Sequence, residues 1–109
     1  MVSSDKELAA RITVADSFFS RLKGLLGTSS LPRGEGLWLV PCKAVHTFGM
    51  RFPIDLLFLD CEHRVVSSII WLVPNRITAF YRGAASVLEL SAGSLDGISP
   101  VIGEQVLFL

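Results

Sequence analysis

Residues 42–60 read CKAVHTFGMRFPIDLLFLD, and the second half of that stretch decides the fold. From Ile54 to Asp60 large apolar side chains occupy both alternations of an extended chain, which predicts a strand. A strand that is apolar on both sides lies between two packed layers and not at a surface. The first half, from Pro41 to Pro53, is a loop bounded by prolines and turned at Gly49. Loops delivered onto rigid strands are where binding and catalytic groups gather.

Downstream, Cys61 to Arg64 has the polarity and length of a hairpin turn. Val65 to Trp71 then returns as a strand, mixing β-branched residues with Ser67 and Ser68. Leu72 to Ile77 is a loop around Pro74 and Asn75, and Thr78 to Tyr81 a brief strand. Ser86 to Leu90 is another strand, Ser91 to Pro100 a glycine-bearing link, and Gly103 to Leu109 a final strand. Upstream, Met1 to Lys6 is small and polar, which suggests a loose terminus. Leu8 to Ala15 alternates as a strand. Asp16 stands where an N-cap would, and Ser17 to Leu26 carries Phe18, Leu22, Leu25 and Leu26 at helical spacing until Gly27. After the loop from Thr28 to Glu35, Gly36 to Val40 is a short strand. Many short strands and one helix over 17–26 predict a mainly β single domain, a sandwich or small barrel.

The totals bound the function. A chain of 109 residues makes one domain with a real core. Half of its residues are apolar and 18% are charged, which excludes disorder. Ten basic and ten acidic residues cancel, an unfavourable balance for binding nucleic acid. Whether Arg51, Arg76 and Arg82 gather into a local basic patch stays open at this level. No window has the ~18 uncharged apolar residues of a membrane helix. No basic-then-apolar leader opens the sequence, so a cytoplasmic location with Cys42 and Cys61 unbonded is expected. Nothing requires a cofactor, and Gly34 and Gly36 are too isolated for a phosphate loop.

Three constellations carry possible chemistry. Asp55 shares a strand face with Leu57 and Leu59, where an ionised carboxylate costs several kcal/mol unless it is bonded. The first reading is structural: the acid accepts backbone amides of the preceding loop, with Arg51, His46 or Arg82 as other partners. Cys42, His46 and Asp55 are the residue types of a thiol nucleophile, a base and an orienting acid, and they are the catalytic candidates for a hydrolase or transferase. A metal site would have to join Cys42 and His46 to Cys61 and His63. The seven residues from Ile54 to Asp60, rising ~3.3 Å each along a strand, place those pairs roughly 20 Å apart, so no metal site is expected. Met50, Phe48, Phe52 and Trp38 line either an apolar cleft or the core. The favoured function is a binding module for a small molecule or peptide using the 41–55 loop. Its candidate ligand-binding residues are Arg21, His46, Thr47, Met50, Arg51 and Asp55. A structural, partner-docking protein is the third class, and oligomeric state is not legible.

The runs GLLG (24–27), GEGLWL (34–39), HTFGMRFPIDLLFLD (46–60) and SVLELSAG (86–93) resemble the DUF192 family of small bacterial and archaeal domains. That resemblance spans residues 10–109 and implies a compact β domain with a jelly-roll-like arrangement; no established activity comes with it. Arg21 with Gly24 and Leu25 matches the family's helix motif. Many relatives carry a Trp-Met-Lys-Asn-like loop that lacks the cysteine and histidine. They share Met50, Pro53 and Asp55 with this chain.

Overall fold

A computed structural model describes residues 2–3, 6–7, 9, 11–15, 30–96, 98 and 100–108. Their strands are β1 (Val2–Ser3), β2 (Lys6–Glu7), β3 (Arg11–Ala15), β4 (Glu35–Leu39), β5 (Ile54–Leu59), β6 (Val65–Leu72) and β7 (Ser86–Ser91). β1 and β2 pair with each other, Val2 opposite Glu7, in the stretch expected to be loose. The remaining five form one sheet in the order β3-β4-β7-β5-β6. β3 and β4 run parallel, and the other neighbours are antiparallel. The protein is mainly β, and the described residues contain no helix. The helix expected over 17–26, with Asp16 and Arg21, lies outside the described residues.

The centre of the sheet follows from its composition. All six residues of β5 and all six of β7 are buried. Pleating sends Ile54, Leu56 and Phe58 to one face and Asp55, Leu57 and Leu59 to the other. The first face collects Leu37, Leu39, Val87, Val45 and Met50. The second collects Leu88, Leu90, Leu95, Val106 and Ala9. Each large side chain fully withdrawn from water contributes roughly 1.5–3 kcal/mol, so this double-sided apolar stack is the main source of stability.

The loop over 41–53 covers the first face. It begins at the Leu59 end of β5, where the Cys42 amide donates to Ala85 O and the Ala85 amide donates to Leu59 O. It must then run back along the sheet to enter β5 at Ile54. The strand length therefore does not separate Cys42 from Cys61 as the sequence suggested. The two cysteines are nevertheless not disulfide-bonded, Cys42 being half-buried against the first face and Cys61 exposed in the hairpin. That hairpin is held by Asp60, whose Oδ1 accepts the amides of Glu62 at 2.8 Å and Arg64 at 2.9 Å.

Two expected strands are absent. Residues 78–81 pair with the 41–53 loop instead: the Thr78 amide donates to Val45 O at 2.8 Å and the Tyr81 amide to Lys43 O at 2.9 Å. Residues 103–108 form bridges in place of a strand, one of them antiparallel with Gln105 opposite Arg64, and lie beside the start of β6. Their apolar end packs sideways, with Phe108 4.1 Å from the Trp38 ring and 4.7 Å from His63.

Candidate functional site

Asp55 is wholly buried at the head of β5, and its partners explain how a carboxylate survives there. β5 and β6 slip register between Ile54–Leu72 and Leu56–Ile69, leaving Ile70 and Trp71 opposite Asp55. Such a bulge orphans a main-chain donor. Asp55 Oδ1 takes that donor, accepting the Trp71 amide at 2.8 Å. Its Oδ2 accepts Gly93 N at 3.2 Å and Leu95 N at 2.9 Å, from the turn that follows β7. Asp55 does anchor backbone amides, but not those of the preceding loop. It fastens a bulge and a turn on the second face, and among the described residues neither Arg51, Arg82 nor His46 bonds to it. Three amides on one carboxylate are the arrangement that compensates a buried charge.

The other catalytic candidates lie elsewhere. Cys42 Sγ donates to Ala44 O at 3.1 Å. His46 is exposed, its ring stacked on Phe48 with centroids 5.6 Å apart. A relay through Cys42, His46 and Asp55 would need the imidazole on the carboxylate, and the carboxylate is occupied from the opposite face. Among the described residues no three of His, Cys, Asp and Glu converge as a metal site.

What the structure does bring together is the 41–53 loop and a second loop over 73–85. Thr47 is the rivet. Its hydroxyl donates to Val73 O at 2.8 Å and accepts the Arg76 amide at 2.9 Å. The Thr47 amide donates to Arg76 O at 2.8 Å, and His46 bridges Ile77. A turn closes from Met50 N to Thr47 O with Gly49 at φ 82, a conformation that favours glycine. The turn drives Met50 inward to the core and leaves Phe48 half exposed. Of the ligand-binding candidates, His46 and Arg51 are at this surface, Thr47 and Met50 are buried beneath it, and Asp55 faces away.

Glu89 was not singled out by the sequence as a site residue. It sits on the first face of β7 between Leu37 of β4 and Leu56 of β5, 3% exposed, with no hydrogen-bond partner among the described residues. Burial pushes its carboxyl up to about 7. The available signal was a lone acid inside the run Ser-Val-Leu-Glu-Leu-Ser of an interior strand. The second loop was also missed, because its pairing with 43–47 spans about thirty residues.

A family model, DUF192, described as uncharacterized ACR, matches residues 1–108. The chain belongs to the DUF192 family. A UPF0127 protein of Pyrococcus horikoshii is 30% identical over 113 residues, covering 97% of this chain and 96% of that protein. Another, from Thermococcus sibiricus, is 29% identical over 93% of this chain and 68% of its own length. The fold is shared with a protein of unknown function from Novosphingobium aromaticivorans, with TM-score 0.78 and 20% identity over 89% of this chain and 74% of that one. It is also shared with a putative transcription regulator of Sinorhizobium meliloti, with TM-score 0.75 and 22% identity over 86% and 78%. Among the described residues of this DUF192 protein, no helix is long and apolar enough to cross a membrane.

Proposed function

We propose that this DUF192 chain is a binding module whose recognition surface is the 41–55 loop, read together with the 73–85 loop riveted to it, and whose ligand is a peptide or small molecule. The observation that carries the reading is the contrast within one short turn. Thr47 and Met50 fix the backbone from below while His46, Phe48 and Arg51 stand exposed on it. Apolar rings held at a surface by a rigid support fit recognition better than packing. The sandwich-like, jelly-roll arrangement with a helix over 17–26 belongs to the same proposal, and an apolar cluster on each face of the sheet supports it.

A thermal-shift screen of fragments and short peptides tests the reading, because a ligand that binds only the folded state raises its melting temperature. Hits on the wild type should lose their effect on Phe48→Ser and on Arg51→Ser. Hits that stabilise all three chains equally, or a library that stabilises none, would count against it.

A further inference from the structure

We propose that the double loop docks an acidic segment of a partner protein, one in which carboxylates alternate with large apolar side chains. The inference rests on the recognition surface just described and adds the chemistry of its occupant. Residues 41–53 and 73–85 contain Lys43, Arg51, Arg76 and Arg82 and no acid. In a chain with ten charges of each sign, that is segregation. The acids Asp60, Glu62 and Glu104 lie instead around the β5–β6 hairpin, where the Gln105 side chain donates to Glu62 O and the Val65 amide to Glu104 O.

Arg51, Arg76 and Arg82 are exposed, and among the described residues none of them is in an ion pair; the pair present joins Arg64 to Glu62 at 4.0 Å. Arg51 and Arg76 flank one point: the Met50 and Asn75 amides both donate to Thr47 O, each at 3.1 Å. Lys43 Nζ is held by the carbonyls of Arg82 and Ala84, which fixes a second positive group toward the other end of the loops. Exposed Phe48, Ile77 (70%) and Phe80 (67%) are carried on the same two segments. A guanidinium without a counter-ion takes a carboxylate through two parallel hydrogen bonds, and apolar side chains between those carboxylates would cover the exposed rings. A nucleic-acid strand would also be drawn to cations and rings, but tight binding to phosphates asks for more surplus charge than four residues in a neutral chain.

Fluorescence anisotropy with short labelled peptides tests this. One peptide alternates Glu with Leu and Phe, a second replaces each Glu by Gln, a third replaces each Glu by Lys, and a thymidine strand is the fourth probe. The Glu peptide should bind, weaken as salt is raised, and lose roughly tenfold in affinity on the R51E/R76E/R82E variant, which should instead gain affinity for the Lys peptide. These side chains are exposed, so equal melts of variant and wild type will show that the fold is intact. Equal binding of the Glu and Gln peptides, unchanged binding to the variant, or binding of the thymidine strand alone would overturn the proposal. If no peptide binds, the proposal falls as well. Fragments that depend on Phe48 would then keep the surface reading standing without it.

Discussion

Asp55 and Glu89 are both acids on interior strands, and their hydrogen-bonding surroundings differ. Asp55 accepts three main-chain amides, so its removal strands three buried donors. Each lost partner leaves a penalty of about 1–3 kcal/mol, so Asp55→Ala should cost about 3–5 kcal/mol in denaturant melts. Asp55→Asn keeps one acceptor oxygen and should cost less, about 2 kcal/mol. An Ala variant as stable as the wild type would remove the anchoring role. Glu89 has only apolar cross-strand neighbours, and burial raises its carboxyl from 4.5 to about 7. The folded state then holds a proton that the unfolded chain releases, so stability is fullest below pH 4.5 and falls as pH rises through about 7. The full loss is about 3 kcal/mol. Glu89→Gln should flatten that part of the stability profile, and an unchanged slope would contradict the assignment.

At the scale of elements, the bulge and the double loop are the parts that depart from regular strand pairing. Trp71 sits at φ 56, the left-handed region that large side chains avoid, and is 58% exposed. Strain of this kind costs about 1–3 kcal/mol and points to use at the surface. Trp71→Gly should therefore raise stability by about 1 kcal/mol in the same melts, and a loss of stability would mean that the indole holds the fold. Thr47→Val keeps the shape of the rivet but loses its hydrogen bonds. It should cost about 1–3 kcal/mol and speed amide exchange at Arg76, leaving the centre of β5 protected.

The sequence made β5 legible because an interior strand announces itself by a continuous apolar run, and β7 by the short Val-Leu-Glu-Leu run between its serines. It made Asp55 visible as an anomaly but not its partners, since Gly93 and Leu95 lie some forty residues away. Residues 78–81 and 103–109 have strand composition. Their pairing is decided by which edges are open, and composition does not record that. The candidate site was half legible: the 41–53 loop stood out by its residues, and its companion loop became part of the surface only through long-range main-chain bonds.

Across the whole molecule, a formal charge of zero conceals polarity. Asp60, Glu62 and Glu104 lie near the β5–β6 hairpin, the double loop carries Arg51, Arg76 and Arg82, without an ion pair among the described residues, and the buried acid Asp55 is bonded on the opposite face. The amides held by Asp55 and the proposed recognition surface thus lie on different faces of one sheet. The most direct test is an amide chemical-shift map of labelled protein titrated with the Glu-Leu-Phe peptide. The account predicts shifts confined to residues 43–51 and 73–82, with the amides of Trp71, Gly93 and Leu95 unmoved. Shifts centred on residues 92–96 and the Asp55 carboxylate, with the double loop silent, would contradict it.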